Sequence, residues 1–236
     1  MFENVLGTWP KHERFILTSC DDKYFNQYFP RFYKTFDQHW QLPIHVHVID
    51  PQEQSFAKLE HLGLSYTYCY TDSKILKWPY SFETYCQAQR FIILGHYMTK
   101  GQSVIVADVD CYALRKPTKQ QLDILQSDMA FTEYNKRLMA TFCNFHYRRK
   151  QHAKKAAVRM KDLIQNTDTI GVDQLVLKEV FGKFHYNNLI HRQWIRHHDV
   201  KTEHDLELHN KCLIYHEKGT RGKQKGIKVS WTDIGL

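Results

Sequence analysis

Two carboxylates follow a short apolar stretch near the middle of the chain. Residues Ser103 to Ala107 form a run of small and β-branched side chains, and Asp108 and Asp110 come directly after it. Such a run, without helical spacing, predicts a buried strand of a parallel sheet. If the extended geometry continues past Ala107, the two-residue period of a strand places both carboxylates on one side. Carboxylate oxygens at that spacing could share one divalent cation such as Mg²⁺ or Mn²⁺.

A lone pair of acidic residues is weak evidence for a metal site. The plain alternative is a strand that ends in an acidic turn, and the D-x-D pattern by itself does not decide between the two. The position favours a site, because open α/β sheets bind their ligands outside the carboxyl ends of the strands. The choice between a metal site and an acidic turn therefore depends on the elements around this strand.

The composition predicts a soluble chain with anionic partners. The 236 residues carry a formal net charge of +8, which favours nucleotide phosphates, nucleic acid or an acidic membrane face. The six cysteines are scattered without a C-x-x-C pair, as is typical of a reducing compartment, and no apolar run is long enough to cross a membrane. Because the first ten residues also lack an apolar signal core, we expect a cytoplasmic protein with at most peripheral membrane contact.

The first half of the chain alternates strands with helices, which predicts a largely parallel sheet. Apolar runs predict strands at residues 14–20, 44–50, 64–70 and 103–107. Helical patterns predict helices at residues 54–61 and 81–100, the second of them capped by Ser81 and closed by Gly101. A stripe of phenylalanines from Phe25 to Phe36 predicts one more helix. Pro30 interrupts this stripe, so we expect regular helix only from about Phe29, after a looser turn.

The second half predicts a mixture of elements. The helices are predicted at residues 118–126, 153–164 and 173–181, and an antiparallel strand pair at 129–134 and 139–147. Strand-like pieces follow at 185–187 and 211–215, and then a tail rich in Gly and Lys. Neither G-x-G-x-x-G nor G-x-x-x-x-G-K occurs, so dinucleotide-binding and P-loop sites have no support.

Four short segments stand in an order that resembles a known enzyme family. They are the Ser-Cys-Asp-Asp-Lys-Tyr segment at 19–24, Arg90, the D-x-D pair, and the His-Glu-Lys-Gly segment at 216–219. This order resembles the GT-A nucleotide-sugar glycosyltransferases, most closely family 8, the glycogenin-like and bacterial galactosyltransferase-like group. The resemblance implies a GT-A fold of the α/β class, with a mostly parallel central sheet and helices on both faces. It also implies one domain over residues 1–236, with a nucleotide-binding half at 11–115 and a donor-sugar and acceptor half at 116–236.

The resemblance assigns a metal site and a nucleotide site. Asp108, Asp110 and His216 would hold the metal, Mn²⁺ or Mg²⁺. An aromatic ring stacked on the uracil and a carboxylate that accepts its imide N–H would suit the base. The residues implied to contact the uracil and ribose are Ser19, Asp21 and Tyr24.

The resemblance also assigns contacts to the diphosphate and the donor sugar. Arg90 would contact the sugar or the diphosphate, because a guanidinium can bridge two oxygens. Asp173 and Gln174 match a D-Q pair that lies near the donor sugar. The family pattern H-x-x-G-x-x-K-P-W is incomplete here, since the lysine falls one residue late and Pro-Trp is missing. The implied phosphate contacts are therefore Lys218, Arg221 and Lys223.

The implied activity is metal-dependent transfer of a sugar from a nucleotide-sugar, a UDP-sugar, to a hydroxyl of a saccharide, lipid-linked or protein acceptor. Retention of the anomeric configuration is part of the resemblance. One alternative is an inverting GT-A transferase or an activated-sugar hydrolase, with Asp168, Asp173 or Glu179 as general base. Another is a GT-A-like domain that binds without catalysis. Outside this class, the basic tail could form part of a nucleic-acid-binding module.

Overall fold

The structure is a computed structural model, and it describes residues 4–72, 77, 80–189, 194–196, 210–217 and 229–236. Within these residues the strands are β1 (Leu6–Gly7), β2 (Arg14–Asp21), β3 (Ile44–Ile49), β4 (Ser65–Cys69), β5 (Ser103–Ala107), β6 (Cys111–Ala113), β7 (Met129–Tyr134), β8 (Arg137–His146), β9 (Asn187–Asn188), β10 (Ile195–Arg196) and β11 (Ile214–His216). The α-helices are α1 (Asp22–Trp40), α2 (Glu53–His61), α3 (Ser81–Tyr97), α4 (Lys119–Leu125), α5 (Lys150–Asn166) and α6 (Val172–Phe181). Short 3₁₀ helices occupy Tyr147–Arg149 and Thr232–Ile234.

The central sheet has eight strands in the order β1-β4-β3-β2-β5-β8-β7-β9. Strands β4, β3, β2 and β5 run parallel, because a helix returns the chain to the same edge between successive strands. Strands β7 and β8 form the predicted antiparallel pair. A smaller sheet has the order β10-β11-β6. The predicted α/β fold class with a mostly parallel centre is therefore confirmed.

Buried side chains cover both faces of the central sheet. On one face the core lies under α3, α5 and α6, and on the other it lies under α1 and α2. The second core contains the whole predicted stripe of buried aromatic rings, Phe25, Phe29, Phe32 and Phe36. Within the described ranges no helix has both the length and the apolar character that crossing a bilayer requires.

Helix α1 is longer than predicted, because it begins at Asp22 rather than near Phe29. Its start is fixed by Asp21, whose Oδ1 accepts a hydrogen bond from the Tyr24 backbone N–H at 2.7 Å. A carboxylate at the N-cap satisfies one of the free N–H groups of the first turn. Asp21 is therefore the N-cap of α1.

The helix also continues through Pro30, which the sequence pattern did not predict. Proline has no backbone N–H, so the carbonyl of Asn26, one turn earlier, loses its helical donor. The indole Nε1–H of Trp231 donates to that carbonyl at 3.2 Å. The Trp231 ring packs 5.1 Å from the ring of Phe25, and Lys58 Nζ lies 4.6 Å above it. A side chain from the far end of the sequence thus compensates for the proline.

Helix α3 starts and ends differently from the prediction. Its first hydrogen bond runs from the Thr84 N–H to the Tyr80 carbonyl, so Ser81 is the first helical residue and not the N-cap. The helix ends at Tyr97, and Gly101 lies in the turn beyond it with φ of +89°. Strands β1, β6 and β10 and the two 3₁₀ helices were not predicted from the sequence. The remaining differences are shifts of about one to three residues at element ends.

Candidate metal and nucleotide site

The two aspartates meet at a turn rather than along a strand. Strand β5 ends at Ala107, and the Cys111 N–H donates to the Asp108 carbonyl at 3.0 Å, which closes a turn through Asp110. The Asp108 N–H donates to the carbonyl of Thr141 in β8 at 2.9 Å. The extended geometry therefore does not continue past Ala107, so strand alternation is not what aligns the two carboxylates. The turn nevertheless brings both carboxylates to one place at the carboxyl end of β5.

His216 joins the two aspartates from the C-terminal part of the chain. It is the last residue of β11, which pairs antiparallel with β6 so that His216 lies opposite Cys111. Its Nε2 lies 3.1 Å from Asp110 Oδ1 and 3.6 Å from Asp108 Oδ2. One ligand atom from each of the three side chains lies within 4.8 Å of the others. Within the described ranges, no other three His, Cys, Asp or Glu side chains come as close together.

Asp108, Asp110 and His216 form a candidate metal site, called the metal cluster below, and their charges favour a cation between them. Burial raises the pKa of Asp108, although the positive charges of Arg90 and His216 act against that rise. Burial alone would lower the pKa of His216, but the carboxylates of Asp110 and Asp108 outweigh it and raise that pKa. A divalent cation would replace the proton on the imidazole and neutralise both carboxylates. The mixed oxygen and nitrogen donors fit Mn²⁺.

Arg90 is the centre of a second group of buried charges. Its Nη2 lies 2.7 Å from Asp108 Oδ1 and 3.2 Å from Asp173 Oδ2, and it donates to the Ala140 carbonyl at 3.3 Å. Burial would lower the pKa of Arg90, but the two carboxylates raise it, so the side chain stays charged. Its Nε is buried and has no hydrogen-bond partner among the described residues. Arg90 is thus a buried residue of the site, and its Nε–H is available to a ligand.

The predicted D-Q pair lies at the start of α6. Gly171, with φ of +75°, is the N-cap, so Asp173 is a residue of the first turn and not the cap. Burial raises the pKa of Asp173 to about 6, against the effect of Arg90. Its Oδ1 accepts a hydrogen bond from the Gln174 N–H at 2.8 Å. The structure therefore joins Asp173 to the metal cluster through Arg90, and places the half-buried Gln174 directly after it.

The predicted base contacts lie where β2 ends and α1 begins. Tyr24 is half-buried, and its ring centroid lies 5.0 Å from that of Tyr28. Burial raises the pKa of Tyr24 to about 12, and the charges of neighbouring groups that include Asp110 add to the rise. Tyr24 therefore lies close enough to Asp110 for that charge to act on its hydroxyl. Ser19 is buried in β2, and its Oγ has no partner within the described part of the chain.

Three predicted phosphate contacts, Lys218, Arg221 and Lys223, lie outside the described residues. Three other residues beside the metal cluster were not predicted from the sequence. Tyr28 and Arg31 follow Tyr24 by four and seven positions on α1, so the three side chains share one face. Arg31 forms a buried ion pair with Glu217, the residue after His216. The helical spacing could have revealed Tyr28 and Arg31, but no local pattern points to Glu217.

Solved structures of the same architecture are glycosyltransferases. The chain is similar to the bifunctional glycosyltransferase WbbM, with a TM-score of 0.59, 13% identity, and coverage of 91% of this chain and 47% of WbbM. It is also similar to the galactosyltransferase LgtC, solved with donor and acceptor sugar analogs, with a TM-score of 0.57, 13% identity, and 87% of each chain covered. The chain has the GT-A fold. GlyE from Streptococcus pneumoniae TIGR4 is a further similar structure, with a TM-score of 0.59, 16% identity, and coverage of 91% of this chain and 58% of GlyE.

At these identities the likeness shows that the GT-A fold is shared. The chain spans about half the length of WbbM. No family model matches the sequence, and no curated protein matches it in sequence. The predicted GT-A fold is thus confirmed, while membership of family 8 stays a prediction. In this GT-A fold the metal cluster lies at the carboxyl edge of the parallel strands, where open α/β sheets bind ligands.

Proposed function

We propose that the protein is a metal-dependent glycosyltransferase that moves a sugar from a UDP-sugar to a hydroxyl of an acceptor, with retention of anomeric configuration. One observation carries the proposal. Asp108, Asp110 and His216 converge within 4.8 Å at the carboxyl edge of a GT-A fold. The donor is a nucleotide-sugar and the acceptor a saccharide or a saccharide carrier. LgtC, which was solved with donor and acceptor sugar analogs, supports this choice of partners.

The metal cluster suits the chemistry of the leaving group. Cleavage of a sugar–phosphate bond releases a nucleoside diphosphate, so negative charge grows on the departing oxygen. The two carboxylates and the imidazole would hold a divalent cation such as Mn²⁺ at the carboxyl end of β5. Such an ion would stabilise the growing charge more in the transition state than in the ground state. The proposed further cations for the phosphates are Lys218, Arg221 and Lys223.

The residues of the second group hold the donor. Arg90 contacts Asp108 and Asp173 at once, so it fixes these two side chains relative to each other. Its buried Nε–H has no partner among the described residues, and it can donate to an oxygen of the donor sugar or the diphosphate. Gln174 follows Asp173 and offers an amide to the sugar hydroxyls. These residues bind and orient the donor.

The start of α1 is suited to the nucleoside. The half-buried ring of Tyr24 offers a face to the uracil, and such stacking is worth ~1 to 3 kcal/mol per base. Asp21 uses Oδ1 to cap α1, which leaves Oδ2 as the acceptor for the imide N–H. Ser19, whose side chain is buried, presents backbone groups to the nucleoside. The site thus extends from the end of β2 to the end of β5.

Retention is favoured because none of the three carboxylates considered as a general base is both free and close to the metal cluster within the described residues. An inverting transferase or a hydrolase needs a general base. Asp173 is buried and held by Arg90, Asp168 is exposed and accepts from the Tyr80 N–H, and Glu179 lies on the exposed side of α6, 3.4 Å from Arg159. The amide of Gln174 is a poor nucleophile. Attack of the acceptor on the face from which the diphosphate departs therefore fits best.

A panel of UDP-sugars tests the proposal through Mn²⁺-dependent release of UDP. The variants Asp110→Asn and His216→Gln should lose nearly all release, whereas the control Asp162→Asn, an exposed residue of α5, should keep it. The anomer of the product, determined by NMR, distinguishes retention from inversion. Absence of release from every UDP-sugar, or release that survives in both site variants, would reject the proposed function.

A further inference from the structure

One buried ion pair in the molecule joins two distant parts of the proposed site. Arg31 Nη2 of α1 contacts Glu217 Oε2, and both side chains are less than one tenth exposed. Glu217 directly follows the metal ligand His216, whereas Arg31 lies near the middle of the first helix. A buried ion pair is weak evidence for stability, because removing two charges from water offsets their attraction. A role in positioning has to be considered for this pair.

The pair sits on the face of α1 that looks towards the metal cluster. Tyr24, Tyr28 and Arg31 occupy successive turns of this face. Burial raises the pKa of Tyr28, and the negative charges of Asp110 and Glu217 add to that rise. Along α1, Tyr28 lies between the proposed base contact Tyr24, with the two ring centroids 5.0 Å apart, and the ion pair of Arg31. One helix face thus runs from the nucleoside site to the metal site.

Arg31 also contacts β6, one of the two strands that bring the proposed metal ligands together, and through Glu217 it contacts the residue that follows β11. Its guanidinium carbon lies 4.4 Å from the ring centroid of Tyr112 in β6. Tyr112 pairs with Tyr215 of β11, and their ring centroids lie 5.1 Å apart. The Glu217 N–H donates to the Asp110 carbonyl at 3.0 Å. Strand β6 begins directly after Asp110 and pairs with β11, which ends at His216. Arg31 and Glu217 therefore hold together the end of the β6–β11 pair where the proposed metal ligands meet.

We propose that Arg31 and Glu217 are positioning residues that tie α1 to the β6–β11 ladder and hold His216 beside Asp110 for the metal. This inference rests on the proposed function. Helix α1 carries Tyr24 at its start, so the tie also fixes the metal site relative to the nucleoside site. Outer partners that orient metal ligands typically change metal affinity by about 10- to 100-fold when they are removed.

The test removes both charges at once. Arg31→Met/Glu217→Gln leaves no unpaired buried charge, so the fold should remain stable, whereas Glu217→Gln alone leaves Arg31 buried without its partner carboxylate. Arg31→Lys keeps a positive charge but not the flat guanidinium against Tyr112. The matched control is Arg149→Met/Asp128→Asn, which removes an ion pair of 2.5 Å that makes no contact with the metal cluster in the described structure.

Two measurements decide the outcome. Titration with Mn²⁺ alone, followed by EPR, should show at least about 10-fold weaker binding for Arg31→Met/Glu217→Gln, a smaller loss for Arg31→Lys, and no change for the control. In metal-free protein with isotope-labelled histidine, the ring signal of His216 should broaden or split in the double variant only. A double variant with parental Mn²⁺ affinity and an unchanged His216 signal would overturn the proposed positioning role of Arg31 and Glu217. A parent protein that binds no Mn²⁺ would overturn the proposed function. The metal-free NMR comparison would still test whether Arg31 and Glu217 position His216.

Discussion

The hydrogen bond between Trp231 and the Asn26 carbonyl predicts an energetic coupling between Trp231 and Pro30. Trp231→Phe keeps a ring against Phe25 but removes the Nε1–H that donates at 3.2 Å. The partly buried Asn26 carbonyl then loses this donor, which costs ~1 kcal/mol, and up to ~3 kcal/mol where no water replaces it. The weaker attraction of Lys58 to a phenyl ring adds up to ~0.5 kcal/mol.

The substitution Pro30→Ala should reduce the loss of stability that Trp231→Phe causes. The new N–H at position 30 can bond to the Asn26 carbonyl within the helix. In that background Trp231→Phe leaves no unpaired carbonyl, so we expect its cost to fall by ~1 kcal/mol. Urea denaturation of the parent, the two single variants and the double variant measures the coupling from the midpoints at constant m-value. Costs that simply add, within ~0.3 kcal/mol, would refute the compensation of Pro30 by Trp231.

Three further predictions concern the base contact, the packing and the response to acid. Tyr24→Leu removes the proposed stacking ring, so the UDP affinity measured by calorimetry with Mn²⁺ should fall about 5- to 150-fold, or ~1 to 3 kcal/mol; an unchanged affinity would contradict the contact. Gly95→Ala puts a methyl group 2.6 Å from the Ala153 carbonyl oxygen, where α3 packs on α5. We expect ~1 to 3 kcal/mol lower stability in urea despite the higher helix propensity of alanine, and a gain in stability would disprove the close approach. Burial lowers the pKa of His47 to about 3, so between pH 6.5 and 3 only the unfolded chain takes up this proton, and stability is lost on acidification. His47→Gln should reduce the slope of the unfolding free energy against pH in that window by up to ~1.4 kcal/mol per pH unit, and parallel curves for the two proteins would contradict this.

The long strands of the central sheet were predictable because each depends on a local pattern, whereas the two-residue strand β1 was not predicted. The parallel strands β2, β3, β4 and β5 are short apolar or alternating runs bounded by polar residues, and helices with clear spacing separate them. The antiparallel pair β7 and β8 follows from the same kind of pattern. Such patterns determine which residues are buried, and burial of one continuous core determines which elements pack together.

The start of α1 was not predictable for a physical reason. Pro30 disrupts a helix unless another donor serves the carbonyl of Asn26, and here that donor comes from Trp231. No pattern within the first forty residues contains this information. The same holds for Ser81, which resembles a cap in sequence but already belongs to the first turn of α3.

The predicted proximity of Asp108, Asp110 and His216 is confirmed, but it arises in a different way from the one considered in the sequence, and their role as metal ligands stays a prediction. Strand alternation was expected to align Asp108 and Asp110, whereas a turn after Ala107 brings them together. His216 came from the family resemblance, because the pairing of β11 with β6 depends on tertiary structure. The ion pair between Arg31 and Glu217 depends on the same tertiary structure, and no family motif indicated it.

The central claim is that one imidazole and two carboxylates hold the metal that binds the UDP of the donor. Pulsed EPR of Mn²⁺ bound together with UDP measures this directly, because the nitrogen of a coordinated imidazole couples to the metal electrons. The parent should show coupling to a single imidazole nitrogen, and His216→Gln should lose that coupling while Asp162→Asn keeps it. Mn²⁺ bound with UDP in the parent without any imidazole coupling, or with coupling that persists in His216→Gln, would contradict the account.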